Sequence, residues 1–256
     1  MSHQSERQTA LISAPSVPAP AAGVPLFARR GLTGRERIDR VLDQVRLKLD
    51  SRSFRSYQPL PWDGDKVTSL RMAGCVSRWE AIAPVVRELE PASAIDVGAA
   101  IGWFSFKLGS LGITTLAVED HPPLYRTILY GIERTKTDNV GLLAMTVNPA
   151  TVGVLPDADC VLLLSVWHHF VRSRGLDSAE LVLSTIWSKT RKVLFFETGE
   201  SEMPPEYGLP PMEPDARTWI ASYLASVCED GTVRHLGRHD SSASYKRNLF
   251  AVVRDA

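Results

Sequence analysis

The chain has 256 residues, of which 44% are hydrophobic, so it is long enough to bury one substantial core. Its 29 basic and 29 acidic residues cancel, which disfavours broad electrostatic binding to nucleic acid or to an anionic membrane. Three widely spaced cysteines in apolar surroundings give neither a disulfide framework nor a thiolate metal site. With no apolar run of membrane-spanning length and no signal-peptide pattern, we expect a soluble, cytoplasmic protein.

Three regions are predicted along the chain. Residues 1–25 are rich in Ala, Pro and Ser and carry almost no large apolar side chains, so we expect a flexible tail. Residues 26–90 are predicted to form a helical cap or lid, with one amphipathic helix over 33–50 and a second over 66–90. Residues 91–256 alternate short apolar strands with helical patterns, which predicts an α/β domain.

A strand, a glycine turn and a helix follow one another over residues 93–111. Residues without bulk at such a turn let a ligand lie against the backbone at a helix N-terminus. An ordinary tight turn between strand and helix is the alternative. The candidate ligand contacts of this loop are Asp96, Gly98, Ala99, Ala100, Gly102, Trp103 and Phe104.

The second predicted strand ends in an acidic pair, Glu119 and Asp120. An acid at this place in a nucleotide-binding α/β unit accepts hydrogen bonds from ribose hydroxyls, and about 20 residues separate it from the glycine loop. Glu119 fits that spacing, and Asp120 takes its place if the strand is one residue longer. A helix-capping role for the acid is the alternative.

Two later strands end in residues suited to proton transfer. A buried strand runs into the sequence SVWHHF at residues 165–170, and the carboxyl ends of parallel strands face the ligand crevice. A histidine with a pKa near 6.5 accepts a proton from a hydroxyl group. We expect His168 to be the base or a substrate contact and His169 to pack under the sheet, with the reverse left open. Glu197, at the end of the fifth strand, is a third candidate base, a substrate-orienting group or a cap.

The glycine loop resembles the first motif of class I S-adenosylmethionine (SAM)-dependent methyltransferases, D/E-x-G-x-G-x-G, with Ala100 at the middle glycine. The SVWHHF sequence resembles their fourth motif. The resemblance implies a Rossmann-like seven-stranded sheet with helices on both faces, an N-terminal helical extension and SAM as cofactor. It adds Asn148, Ser165 and Val166 as cofactor contacts, and an Arg78 fork suits the carboxylate of the methionine part.

Within that superfamily the chain resembles two groups. One is the O-antigen chain-terminating (WbdD-like) methyltransferases, through LSVWHHFVRSRG and the acid-ended strand after it. The other is the bin3-like RNA cap methyltransferases, through the Tyr- and Arg-containing stretch before the glycine loop. Both groups methylate a phosphate oxygen. The residues expected to hold an anionic substrate are Tyr57, Arg71, Arg238 and Lys246.

The sequence therefore predicts a SAM-dependent O-methyltransferase of a small-molecule or glycan acceptor, phosphorylated or not. A hydroxyl acceptor needs a base, whereas a phosphate oxygen needs only positioning. The alternatives are an RNA-end phosphate methyltransferase, which the zero net charge disfavours, and a non-catalytic SAM-binding or interaction protein. We expect metal-independent chemistry, and whether the chain forms a homo-oligomer is left open.

Overall fold

A computed structural model of the protein describes residues 57–242 and 245–255. The predicted tail over 1–25 and the predicted helix over 33–50 lie outside these residues. The described residues belong to one structural unit, Leu42–Ala256. In chain order its elements are α1 (Leu70–Leu89), β1 (Ser93–Val97), α2 (Trp103–Ser110), β2 (Thr114–Val118), α3 (Pro122–Thr135), β3 (Val140–Leu143), β4 (Ala158–Leu164), α4 (Trp167–Arg174), α5 (Leu176–Ser188), β5 (Thr190–Glu197), α6 (Ala216–Val227), β6 (Gly231–Ser242) and β7 (Tyr245–Arg254).

The strands form one seven-stranded sheet in the order β3-β2-β1-β4-β5-β7-β6. The pairings among β1 to β5 are parallel, and β7 runs antiparallel between β5 and β6. This arrangement confirms the predicted Rossmann-like seven-stranded sheet. Strands β2 and β3 lie on one side of β1, and β4 and β5 lie on the other, so the strand order reverses between β1 and β4. Ligands of α/β sheets bind in the crevice at such a point.

Alternate side chains of the central strands enter different layers. Ile95, Leu163 and Phe196 pack on one face with α4, α5 and α6. Leu162 and Phe195 pack on the other face with α1 and α2. Because neighbouring residues of a strand point to opposite faces, a strand that is apolar throughout requires helices on both sides. The predicted three-layer architecture is therefore confirmed.

Helix α1, from the predicted cap region, forms part of the layer that covers the sheet. It starts at Leu70 rather than at residue 66, because the Ser69 side chain accepts a hydrogen bond of 3.1 Å from the Met72 amide and caps the helix. The predicted domain boundary at residue 90 stays a prediction.

Pairing sets the lengths of β3 and of the last two strands. β3 ends at Leu143, because its pairing partner β2 ends at Val118, which pairs with Leu143. The ends of the polar stretch 238–247 are strand residues of a long β6–β7 hairpin, where His239 pairs with Arg247. This part of the hairpin extends beyond its pairing with β5, so its polarity resembles that of a loop.

Across the described part of the chain, no helix is both long enough and apolar enough to cross a membrane.

Gly74 sets the approach of α1 to β6. A Cβ atom at Gly74 would lie 1.6 Å from the Asp240 carbonyl oxygen, which belongs to the backbone and cannot rotate away. We expect Gly74→Ala to lower the free energy of unfolding by about 3 kcal/mol, as for an overpacked core. Chemical denaturation measures this change. Gly153→Ala is the matched control, because a Cβ there meets no atom within 4 Å, and equal stability of both variants would contradict the packing argument.

Candidate active site

The glycine loop after β1 is shaped by a close approach to the segment that follows β4. A Cβ atom on Gly98 would lie 2.5 Å from Cγ2 of Val166, and Gly98 has a φ of +69°. Ala100 also has a positive φ, of 54°. The amides of Gly98 and Ala99 both donate to the Val118 carbonyl, at 2.8 and 3.0 Å. The loop is therefore folded back on the sheet edge and presents little side-chain bulk.

This loop borders a cavity of about 470 Å³ at the carboxyl edge of the sheet, which we call the loop cavity. Its volume lies in the ordinary range for small-molecule sites. Eight residues predicted as site residues line it: Tyr57, Gly98, Ala100, Glu119, Asp120, Ser165, Val166 and His169. The structure thus brings together residues from four separate stretches of the chain.

Glu119 is held in the wall of the loop cavity by three backbone amides. Its Oε2 accepts a hydrogen bond from the Ala100 amide at 2.9 Å. Its Oε1 accepts from the amides of Asp120 and His121, at 3.1 and 3.0 Å. Burial raises the pKa of the Glu119 carboxyl, and these amides oppose that shift. The carboxylate is therefore fixed in orientation while part of it still faces the cavity.

Several predicted cofactor contacts lie behind the cavity wall instead of in it. Trp103 and Phe104 are buried in the core with α1, and neither they nor Ala99 and Gly102 line the loop cavity. Asp96 is also buried, and its Oδ2 accepts a hydrogen bond of 2.6 Å from the Ser105 hydroxyl. Burial raises the pKa of Asp96 to about 6. Trp103 and Phe104 are buried because the helix that begins at Trp103 turns its first side chains into the core. The placement of these residues does not support their predicted contacts with a cofactor.

Asn148 and Arg78 are likewise placed outside the lining. The Asn148 side-chain oxygen accepts from the Ala150 amide at 2.8 Å and closes a local turn. The backbone stretch 145–147 borders the cavity in its place. Arg78 is buried and donates to Glu197 at 2.7 Å, so its guanidinium is already neutralised. The predicted direct contacts of these two side chains with a cofactor are therefore not supported.

Glu197 is completely buried at the end of β5 and is surrounded by donors. Its Oε2 accepts from Arg78, and its Oε1 accepts from the Ser165 hydroxyl at 2.6 Å and lies 3.6 Å from Arg247. Both oxygens of the Glu197 carboxylate are therefore taken up by donors of this chain. Glu197 does not line the loop cavity, so its placement does not support the predicted role as a base. Ser165, which donates to Glu197, does line the cavity.

The two histidines at the start of α4 have the reverse of the expected burial. His168 is 3% exposed, and its Nδ1 accepts a hydrogen bond of 2.9 Å from the Gly199 amide, with the Thr198 hydroxyl at 3.3 Å. Burial lowers the pKa of His168 to about 2. His169 instead is exposed and lines the loop cavity, with its ring centroid 4.3 Å from that of His168. Consecutive helical side chains point about 100° apart, so one histidine enters the core and the other faces the cavity.

Two arginines lie close to the loop cavity without lining it. The Arg71 guanidinium lies 3.6 Å above the Tyr57 ring, and Tyr57 borders the cavity. The Arg172 guanidinium lies 4.7 Å from the centre of the Tyr207 ring. Partial burial, Arg172 and Arg247 lower the pKa of His169. His169 is therefore neutral near pH 7 and retains an open lone pair.

The predicted substrate residues are divided between two places. Tyr57 lines the loop cavity and carries Arg71 on its ring, whereas Arg238 lines a second cavity beyond β5. The Lys246 carbonyl accepts from Arg238 at 2.8 Å, and the Lys246 side chain is exposed and lines neither cavity. The contact predicted at Asn148 has neighbours in the lining, since Met145, Thr146 and Val147 border the loop cavity. These residues follow the third strand, at the sheet edge where ligands bind.

Among residues 57–242 and 245–255, no three His, Cys, Asp or Glu side chains are grouped to hold a metal ion.

Solved structures of known proteins share this architecture. The bifunctional kinase-methyltransferase WbdD matches with a TM-score of 0.61 and 21% identity, over 80% of this chain and 45% of that chain. The magnesium protoporphyrin IX methyltransferase ChlM from Synechocystis, with bound SAM, matches with a TM-score of 0.56 and 16% identity, over 83% and 96% of the two chains. The chain has the class I SAM-dependent methyltransferase fold. The fold predicted from the two sequence motifs is therefore confirmed.

A third methyltransferase-fold neighbour is the 1,6-didemethyltoxoflavin-N1-methyltransferase of Burkholderia thailandensis, solved with S-adenosylhomocysteine. Its TM-score is 0.54 at 17% identity, over 90% of this chain and 94% of that chain. The present chain spans less than half the length of WbdD. No protein-family model and no curated protein sequence matches the chain.

The burial of His168 makes stability depend on pH. Its pKa is about 2 in the folded protein, against about 6.5 in an unfolded chain, so the unfolded state gains a proton first as the pH falls. We expect the free energy of unfolding to fall below about pH 6.5, by ~1.4 kcal/mol per pH unit for this group. His168→Asn, which keeps an acceptor for the Gly199 amide, should remove that part of the slope in denaturation curves at pH 7 and pH 5. Equal slopes would show that His168 is not the group that titrates.

Proposed function

We propose that the protein is a SAM-dependent methyltransferase that transfers a methyl group to an oxygen of a small-molecule or glycan acceptor. The observation that carries the proposal is the fixed Glu119 carboxylate in a cavity bordered by the glycine loop. The neighbours ChlM and the toxoflavin methyltransferase were solved with SAM and S-adenosylhomocysteine, which supports SAM as the cofactor of this fold.

The residues present fit such a cofactor. Gly98 and Ala100 leave the backbone open to a ligand, and Glu119 offers carboxylate oxygens suited to ribose hydroxyls. Apolar side chains around Val118, Met145 and Phe170 suit a flat purine ring. When bound, SAM supplies a methyl group on a positively charged sulfur, so the leaving group is already activated. The protein has to bind SAM and the acceptor, orient the acceptor oxygen toward the methyl group, and exclude water.

His169 is the residue best placed to remove a proton from a hydroxyl acceptor. It lines the loop cavity and its pKa is lowered, so its neutral form is available as an acceptor near pH 7. The Ser165 hydroxyl, which Glu197 holds at 2.6 Å, lies in the same lining. The buried Glu197 and His168 fix the segment between β4 and α4 and do not meet the acceptor.

Two arginines close to the cavity favour an acceptor that carries an anionic group. Arg71 lies on the ring of Tyr57, which lines the cavity, and Arg172 lies on the Tyr207 ring, whose centroid is 5.7 Å from that of His169. An anionic phosphate or carboxylate oxygen needs no base, and guanidinium groups suffice to position it. Methylation of a phosphorylated acceptor is therefore the second candidate for the same site.

Calorimetric titration of S-adenosylhomocysteine into the purified protein tests the cofactor site. We expect binding, and we expect Glu119→Gln to weaken it by about 2 kcal/mol, roughly 30-fold, because an amide NH₂ then faces a backbone N–H donor. Glu180→Gln is the matched control, since Glu180 is exposed on α5 and does not line the cavity. Folded wild-type protein that binds no S-adenosylhomocysteine would refute the proposal.

The two kinds of acceptor are separated by a methyl-transfer screen with His169→Gln. For a hydroxyl acceptor, we expect the variant to lose on the order of 100-fold in turnover, since the Gln side chain cannot take the proton that the imidazole accepts. For a phosphorylated acceptor, we expect turnover to change little and Arg172→Gln to raise KM. A hydroxyl acceptor that is methylated equally fast by His169→Gln would exclude His169 as the base.

A further inference from the structure

A second cavity, of about 780 Å³, lies beyond the end of β5, and we call it the proline cavity. The segment 203–214 contributes five prolines to it, together with the thioethers of Met203 and Met212. Strands β6 and β7 contribute Arg238 and Asn248, and Glu200 completes the polar part of the lining. One side of the cavity is therefore apolar and the other offers hydrogen-bonding groups.

The proline cavity is distinct from the loop cavity but close to it. Among the described residues the two linings have no member in common. Arg247 connects them, because its Nη2 lies 3.2 Å from the Met203 sulfur and its Nη1 lies 3.3 Å from the Ser165 hydroxyl. A ligand in the proline cavity would lie one layer of side chains away from the cofactor site.

The proline cavity carries charges of both signs, with carboxylates from Glu200, Glu213 and Asp215 and guanidinium groups from Arg217 and Arg238. The Glu200 carboxylate lies 4.0 Å from Arg238, and it accepts hydrogen bonds from the amide and the side chain of Asn248. The Asp215 carboxylate caps α6 by accepting from the Thr218 amide at 2.9 Å. Because no charge of one sign dominates, the lining suits a neutral ligand with both donors and acceptors at its edge.

The apolar side of the cavity favours an aromatic ligand. Thioethers make favourable contacts with aromatic rings, and proline rings pack against aromatic surfaces in peptide recognition. Among the described lining residues the aromatic ring is the imidazole of His235, whose Nε2 lies 2.9 Å from the Asn248 side-chain oxygen. The prolines and methionines of the lining therefore offer their apolar surfaces to an aromatic ring of the ligand.

We propose that the proline cavity binds a neutral, planar aromatic ring system with hydroxyl or carbonyl groups at its edge. Its position next to the loop cavity gives it the role of holding the non-reacting part of the methyl acceptor, and this role rests on the proposed function. Binding energy from such a remote part orients the reacting oxygen. Binding of the aromatic ring itself does not depend on methyl transfer in the loop cavity.

The test compares naphthol with its saturated counterpart decalol, which keeps the two fused rings and the hydroxyl but loses aromaticity. Each is titrated calorimetrically into the full chain, with and without saturating S-adenosylhomocysteine. We expect naphthol to bind whether or not the loop cavity is filled, and decalol to bind more weakly. Met212→Leu, which keeps the volume and removes the sulfur, should weaken naphthol roughly two- to tenfold and leave decalol unchanged.

Two arginine variants locate the polar edge of the ligand. Arg238→Gln should weaken naphthol binding severalfold. Arg234→Gln is the matched control, because Arg234 is an exposed arginine on the same strand that pairs with Glu88 at 2.9 Å instead of lining the cavity. Equal effects of the two variants would overturn the assignment.

The outcomes separate this inference from the proposed function. No naphthol binding, equal binding of naphthol and decalol, or competition between naphthol and S-adenosylhomocysteine would each overturn the proline cavity as an aromatic site. If S-adenosylhomocysteine binds in any of these cases, the proposed function stands. Naphthol binding that Met212→Leu weakens, in a protein that does not bind S-adenosylhomocysteine, would support the cavity and contradict the proposed function.

Discussion

The buried carboxylate of Glu197 connects three separate elements around the candidate site. Arg78 from α1, Ser165 from the segment after β4 and Arg247 from β7 all approach its two oxygens. Removing one charge from such a network would leave another buried without compensation, which costs far more than the net value of the pair. The helix before the sheet, the crossover segment and the last strand are therefore held in one arrangement by a single side chain.

The same network of side chains connects the loop cavity with the proline cavity. Arg247 pairs with Glu202 at 2.6 Å as well as lying near Glu197, and Glu202 belongs to the segment that leads into the proline-rich wall. The same guanidinium thus contacts the Ser165 hydroxyl on one side and the Met203 sulfur on the other. A displacement of the proline-rich segment would therefore move Arg247 and, through it, the Ser165 side chain at the loop cavity.

The two acids that end β2 and β5 have opposite tasks, although each is an acid at the carboxyl end of a parallel strand. Glu119 is held by three backbone amides, which fix its orientation and leave it in the cavity wall. Glu197 is held by arginines and a hydroxyl, which remove it from the solvent altogether. The neighbouring elements decide the difference, since α1 covers the end of β5 and brings Arg78 to it.

The sequence alone determined the layers, the parallel strands and the glycine loop, because local periodicity and turn residues decide them. The loop spacing before Glu119 and the SVWHHF sequence were sufficient to predict the methyltransferase fold and to select Gly98, Ala100, Glu119, Ser165 and Val166 as cavity residues. Only the tertiary structure decided which of His168 and His169 is buried, because the two share one local pattern and differ only in which side chain meets the Gly199 amide. It also decided that Arg78 donates to Glu197, because these two residues are 119 positions apart in the chain. The tertiary structure likewise placed Arg238 in the lining of the proline cavity.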